Sequence, residues 1–344
     1  MADEKIVYIY SKLSGFNIYN VSMQDTDGIV MSDHLIITDV RAKGEKDYLA
    51  SVIYKSDEPI SDAKAAWFAD IIQNPVSNVF FEWPIDLVEI EQSDEFAGCL
   101  VYRNNDYHYL KPIKDLLYQP SMSRVLDWRN PFIITVCRYF LTAMSTLHSN
   151  GYIYNDFNIN NILYNSDTGE VFLKFTHTLR KSGSKTQYDT VDCLDISPEF
   201  APPFVYKTDV YNGFMSKKTD YYQIAALLFR LMIGRLPYEG RDLMSYGTVF
   251  DPEFDTDENA HRYYFQHYHQ YPHFIFDETD KTNSLSSTSD NDMPRERWNA
   301  LPENIQRMFS EVLCQYAAEH AFSKSLPTPV AWLKAVSSLE VVKK

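Results

Sequence analysis

Asp156 and Asn161 stand five positions apart in GYIYNDFNINNIL, residues 151–163. A carboxylate can take the proton of a hydroxyl group, and an amide oxygen can hold a cation. The strip around them is aromatic and aliphatic, so a turn has to display these polar groups. Asp and Asn also brace turns by hydrogen bonding to nearby backbone, and on this loop alone the two readings stand level. Two lysines sit at comparable places on apolar strands, Lys55 at the end of VIYK and Lys174 within VFLKF. Each can pair with a phosphate. Each can equally lay its stem along the surface and keep its ammonium in water.

The elements that must position these residues are readable. HLIITDVRA (34–42) and YLASVIYK (48–55) alternate about KGEKD, a polar turn containing Gly44, which predicts a hairpin with Lys55 at its far end. DAKAAWFADIIQ (62–73) places Trp67, Ile71 and Ile72 at helical spacing, and Asn74-Pro75 stops it. FFEWPIDLVEI and FAGCLVYR predict further strands. From about residue 130 the pattern turns helical. PFIITVCRYFLTAMSTLHS (131–149) ends in Asn150-Gly151, a C-cap signature, and KKTDYYQIAALLFRLMIG (217–234) is apolar almost all round, as a buried helix would be. Residues 277–297, DETDKTNSLSSTSDNDMPRER, read as a polar mobile loop. LPENIQRMFSEVLCQYAAEHAF and PTPVAWLKAVSSL read as two closing helices, the second entered after Pro329.

The chain of 344 residues, 45% hydrophobic and 15% aromatic, can fill a large core and has room for two lobes. Its net charge of −15 argues against nucleic acid as a partner, which needs basic patches, and favours a protein partner with basic or apolar patches. No segment reaches the ~18 apolar residues of a membrane helix. MADEKIVYIYSKL has no signal-peptide pattern, so a cytoplasmic location is expected. Cys99, Cys137, Cys193 and Cys314 are scattered without metal-ligand spacing and read as reduced thiols. Nothing in the sequence specifies the oligomeric state.

The order of helix, glycine turn, aromatic-X-Asp, four residues, Asn and strand resembles the catalytic loop of protein kinases, H-R-D-L-x-x-x-N. Tyr154-Asn155-Asp156 stands where His-Arg-Asp would be. VIYK resembles the family's V-A-I-K, SPEFAPPF (197–204) the end of its activation segment, and SKKTDYYQIAALLFRLMIGRLPYEGR its large central helix. Together these cover roughly residues 25–335. The resemblance implies an α+β, two-lobed kinase-like fold, with a β-rich N-lobe over 1–103 and a mainly helical C-lobe over 104–344. It implies Asp156 as catalytic base, Lys55 as the phosphate-pairing lysine, Asn161 as a metal and cofactor ligand, and Asp220 as a brace of the catalytic loop. Asp70 is the better candidate for the acid that partners Lys55, with Asp62 as the other. Trp83-Pro84, FIFDETDKTN, WNALP and PTPVAWL resemble a bacterial kinase-like group associated with phosphatase and von Willebrand A-type neighbours.

The departures bear on activity. Where the family has Asp-Phe-Gly, this chain has Lys174-Phe175-Thr176, and an ammonium has no lone pair with which to ligate Mg²⁺. Lys174 either enters the cleft in the metal's place or turns outward to solvent. The phosphate-covering loop retains Gly28 alone, among Asp25, Asp27 and Asp33. Asn155 replaces the arginine that would receive an activation-loop phosphate. Phe204 stands where one alignment puts the segment-ending acid, and Glu199 supplies that acid in the other. The expectation is a pseudokinase with a regulatory or scaffolding role, weak ATP binding at most, and no Mg²⁺. The alternatives are an atypical active Ser/Thr kinase using Asp156 as base and a small-molecule phosphotransferase.

Overall fold

The alternation of the first hundred residues folds into an antiparallel barrel. The computed structural model describes residues 6–11, 18–22, 35–42, 48–54, 62–77, 79–90, 96–102, 109–118, 126–155, 157–176, 179–182, 197–203, 217–241, 272–314 and 325–339. Strands β1 (Ile6–Ser11), β2 (Ile18–Ser22), β3 (Leu35–Ala42) and β4 (Tyr48–Tyr54) are followed by helix α1 (Asp62–Gln73), then β5 (Pro84–Ile90) and β6 (Phe96–Tyr102). The barrel closes in the order β1-β2-β3-β4-β6-β5. The hairpin expected about KGEKD is β3–β4, in register from Leu35↔Tyr54 to Arg41↔Tyr48. Phe68 and Ile71 of α1 are buried, and the Trp83 indole N–H donates to the Ile71 carbonyl at 3.1 Å.

The chain parts into two compact units, Met1–Leu110 with Phe172–Phe175, and Lys111–Val171 with Thr176–Lys344. The sequence placed a single boundary at 103. The return of 172–175 to the first unit is a long-range event that chain order does not reveal.

The second unit is mainly helical. After β7 (Leu110–Pro112) come α2 (Ile113–Tyr118) and α3 (Pro131–Ser149). Asn130 caps α3 by accepting from the Phe132 N–H at 3.0 Å, with Pro131 at the first helical position. Asn150 and Gly151, whose φ of 83° suits glycine, end the helix as expected. The short strands β8 (Tyr152–Ile153), β9 (Ile162–Asn165), β10 (Val171–Leu173) and β11 (Arg180–Lys181) follow, with β8 and β11 antiparallel. Helix α4 (Lys217–Ile233) is buried on nearly every side, from Thr219 to Ile233. Helices α5 (Asp292–Ala300), α6 (Glu303–Leu313) and α7 (Pro329–Ser337) complete the unit, and Thr328 caps α7 through the Ala331 N–H. Phe309 of α6 and Trp332 of α7 meet at 4.7 Å between ring centroids. The continuation of α6 expected through Phe322 falls on residues 315–324, outside the described residues. No helix among the described residues is long and apolar enough to cross a membrane.

The polar stretch 277–297 is not the loose loop expected from its composition. The Asp277 carboxylate accepts from the Thr279 and Asp280 N–H groups at 2.8 and 3.2 Å, and Asp280 accepts from the Thr282 N–H at 2.9 Å. Asn283 donates to the carbonyls of Tyr238 and His273, each at 2.8 Å. From Asp292 the chain is helical, and buried Arg297 donates to the Ile233 carbonyl at 3.1 Å and to Asp127 at 3.3 Å. Asp, Thr and Asn fold their side chains onto their own backbone here, which a composition count reads as solvation.

Candidate functional site

In the first unit the site is built on the return segment. Phe81 and Leu173 form a parallel bridge, with the Leu173 N–H donating to Phe80 at 2.8 Å and the Glu82 N–H to Leu173 at 2.9 Å. This ladder fixes the register of the residues that follow. Phe175 packs on α1, its ring centroid 6.2 Å from Trp67 and 6.0 Å from Phe68. Lys174, held between these two anchors, is only 8% exposed. The outward, solvated placement of Lys174 is therefore excluded. Asp70 of α1 accepts from the Asn74 side chain at 3.0 Å, one helical turn on. Lys55 and Gly28 lie outside the described residues, as do Asp25, Asp27 and Asp33.

In the second unit Asp220 organises the loop that bears Asn161. Its carboxylate is fully buried at the start of α4. It accepts the Tyr154 N–H at 2.9 Å, the Asn155 N–H at 3.0 Å and His148 Nε2 at 2.7 Å. Asn155 takes φ of 61°, a left-handed conformation that Asn tolerates better than most residues, and its carbonyl accepts from Gln223 at 3.4 Å. The brace expected at Asp220 is thus present. His148 and Gln223, its co-workers, were missed because each is an isolated polar residue in an apolar helix.

Beyond position 156 the loop is held by aromatics and by a serine. Phe157 packs edge-on against both Phe140 and Tyr154, at 5.7 and 5.8 Å. The Ser197 N–H donates to the Phe157 carbonyl at 3.3 Å, and its hydroxyl accepts the Ile159 N–H at 3.0 Å. Asn158 accepts from the Asn160 N–H at 2.8 Å, and the buried Asn161 donates its N–H to the Asn158 carbonyl at 2.8 Å. Asp156 itself lies outside the described residues. The anchoring role of Ser197 was hidden because serine at the end of a loop carries no pattern.

Glu199 lies in the short 3₁₀ turn Pro198–Phe200, buried, and accepts the Tyr118 hydroxyl at 2.6 Å. Burial holds its carboxyl above the ordinary range, against the opposing effects of the Tyr118 hydrogen bond and the nearby Arg230 and Lys114 charges. Of the two alignments for the segment-ending acid, this geometry gives Glu199 a partnered, interior place. Phe204 lies outside the described residues. The Cys99 and Cys137 thiols are pushed up by burial, and that of Cys314 rises to about 12 through burial and the adjacent Asp277. None of these three has the lowered pKa of a reactive thiol. No cluster of three or more His, Cys, Asp or Glu able to hold a metal ion occurs among the described residues.

No protein-family model matches the chain. Among curated proteins, maternal embryonic leucine zipper kinase of Xenopus laevis and that of Xenopus tropicalis are each 26% identical over 107 residues. That stretch is 31% of this chain and 16% of those relatives. Among solved structures, the Cydia pomonella granulovirus kinase PK-1 aligns over 92% of this chain and 93% of its own, at 12% identity and a TM-score of 0.54. ROP2 from Toxoplasma gondii, a virulence factor with a protein-kinase fold and no enzymatic activity, aligns over 96% of this chain and 82% of its own. Its identity is 13% and its TM-score 0.50. The fold is α+β and protein-kinase-like, as the motif order led one to expect.

Proposed function

We propose that this chain of protein-kinase fold is a pseudokinase, a module that acts by binding and not by sustained phosphotransfer. The observation that carries this reading is buried Lys174. The bridge at Leu173 and the packing of Phe175 on α1 flank it on both sides, so no slip of one residue brings an acid to its position. In kinases the metal-holding Asp of this triplet neutralises phosphate charge, and nearly all rate enhancement is positioning and electrostatics. Loss of one such stabilising element typically costs about 10²–10³ in rate. An ammonium at 174, where the family carries its metal-holding Asp, has no lone pair and does not fit Mg²⁺. ATP, where it enters, is held weakly and without the metal, with the Lys174 ammonium against a phosphate and Lys55 in the family's phosphate-pairing position.

ROP2 is a precedent for a kinase fold retained without enzymatic activity. The net charge of −15 favours a protein partner over nucleic acid, in the cytoplasm and in a signalling or scaffolding role. The resemblance of Trp83-Pro84, FIFDETDKTN, WNALP and PTPVAWL to a bacterial kinase-like group supports a bacterial setting for such a role.

An atypical active kinase with Asp156 as base is the second reading. It is favoured by the care with which the loop is held: Asp220 receives two of its backbone N–H groups, and Ser197 a third. Phosphotransfer separates the two. With radiolabelled ATP, Mg²⁺ or Mn²⁺ and a basic protein substrate, the protein should label neither itself nor the substrate above the level of Asp156→Asn. Metal-dependent labelling abolished by Asp156→Asn would establish the kinase and overturn the pseudokinase.

A further inference from the structure

We propose that the Tyr118–Glu199 hydrogen bond is a pH-sensitive clasp on the loop that bears Asn161. It is shut while the Glu199 carboxyl is protonated and loosens when that group ionises. The bond closes a triangle. One side runs from the loop to α2, where the Lys114 N–H donates to the Ile159 carbonyl at 3.4 Å. The second runs from the loop to the residue that opens the Pro198–Phe200 turn. There the Ser197 N–H donates to the Phe157 carbonyl at 3.3 Å, and the Ser197 hydroxyl accepts the Ile159 N–H at 3.0 Å. The third side joins that turn to the last residue of α2, through the Tyr118 hydroxyl 2.6 Å from Glu199 Oε1.

The third side is the one a proton can control. Glu199 is buried, and Tyr118 is the only side chain hydrogen-bonded to it among the described residues. The groups that face it are Tyr118 and Lys114 from α2 and Arg230 from α4. Arg230 is committed elsewhere: its guanidinium lies over the Tyr118 ring, 5.4 Å from the centroid, and donates to the Leu117 and Gly234 carbonyls at 2.8 and 2.7 Å. Both cations act on Glu199 as nearby charges, and burial outweighs them, holding the carboxyl above its ordinary range. Once ionised, a buried carboxylate with so few partners draws in water, and the turn has to shift to admit it. The sign follows from the raised pKa. The clasp is at full strength below the ordinary carboxyl value of 4.5 and is lost as pH rises through the folded value. Ser197 carries the loosening to the loop, whether or not the chain transfers phosphate, so this inference does not depend on the pseudokinase reading.

Hydrogen exchange of the full-length protein, resolved to single amides and corrected for intrinsic rates, tests it. In the wild type, protection at Ile159 and Asn161 should fall at least about tenfold between about pH 5 and about pH 9, one pKa unit of coupling being a factor of ten. Protection at Leu227 and Leu228 in α4 should stay constant. Glu199→Gln keeps the shape and an acceptor oxygen but cannot ionise, and its loop protection should be flat. Tyr118→Phe removes the donor and should show the low, alkaline level at every pH. Wild-type protection in α4 shows that both variants fold. His148, which also holds this loop through Asp220, is present in all three proteins, so its contribution cancels. Loop protection that is flat in the wild type would overturn the clasp. So would a fall with pH that Glu199→Gln or Tyr118→Phe reproduces.

Discussion

Alanine at position 220 should cost about 3–5 kcal/mol of folding stability, as breaking a buried charged network by removing one partner does. The Asp220 carboxylate is fully buried and accepts from the Tyr154 and Asn155 N–H groups and from His148. Its loss leaves three donors with no water to turn to, each an unmade hydrogen bond worth roughly 1–3 kcal/mol. The network is shared, so the total stays below the simple sum. Asp220→Asn should fall between wild type and alanine, because its amide oxygen still accepts while its NH₂ group faces other donors. Denaturant unfolding followed by circular dichroism measures both, with the slope m as a check that the unfolded state has not changed. A loss under about 1 kcal/mol for Asp220→Ala would show that another group holds this loop.

Gly240→Ala should be comparably severe, at about 3 kcal/mol or more, the upper range for an overpacked interior site. A Cβ at Gly240 would stand 1.8 Å from the Asn283 carbonyl oxygen and 2.4 Å from its side-chain oxygen. Backbone and a doubly bonded amide cannot step aside, since Asn283 donates to Tyr238 and His273. The substitution would part the end of the α4 region from residues 272–283, and limited proteolysis should cut there first. Wild-type resistance to protease, with an unchanged unfolding midpoint, would contradict this close approach.

The parts of the molecule legible in the sequence share a physical trait: their signals are local. Asn150-Gly151 ends α3 because a left-handed residue is needed within one turn of the helix. The β3–β4 hairpin could be read from KGEKD because the two strands are neighbours in sequence. The all-round apolar pattern of α4 translates directly into burial, and Asp220 at its start was marked by the helix's resemblance to the central helix of protein kinases. What escaped was non-local or was disguised by polarity. Ile9 and Ile90 pair across most of the first unit, so barrel closure by β1 left no short-range trace. Asp277, Asp280 and Asn283 looked like solvated loop residues but spend their polar groups on backbone, which ties 277–283 down. Arg297, a charged residue in a polar run, is buried because the Ile233 carbonyl and Asp127 satisfy it. At the candidate site, Lys174 was legible as a substitution, whereas its burial depended on the ladder at Leu173 and the packing of Phe175 on α1.

The central claim is that an ammonium at position 174 has taken the place of a metal ligand. It is tested most directly by thermal unfolding of the full-length protein titrated with ATP, once in Mg²⁺ and once in EDTA. A ligand confined to the native state raises its stability by RT ln(1 + [L]/Kd), about 2.7 kcal/mol at a hundredfold excess over Kd. The ATP-dependent shift should be the same in the two buffers, and Lys174→Ala should abolish it. A shift that appears only with Mg²⁺, and that survives Lys174→Ala, would contradict the account.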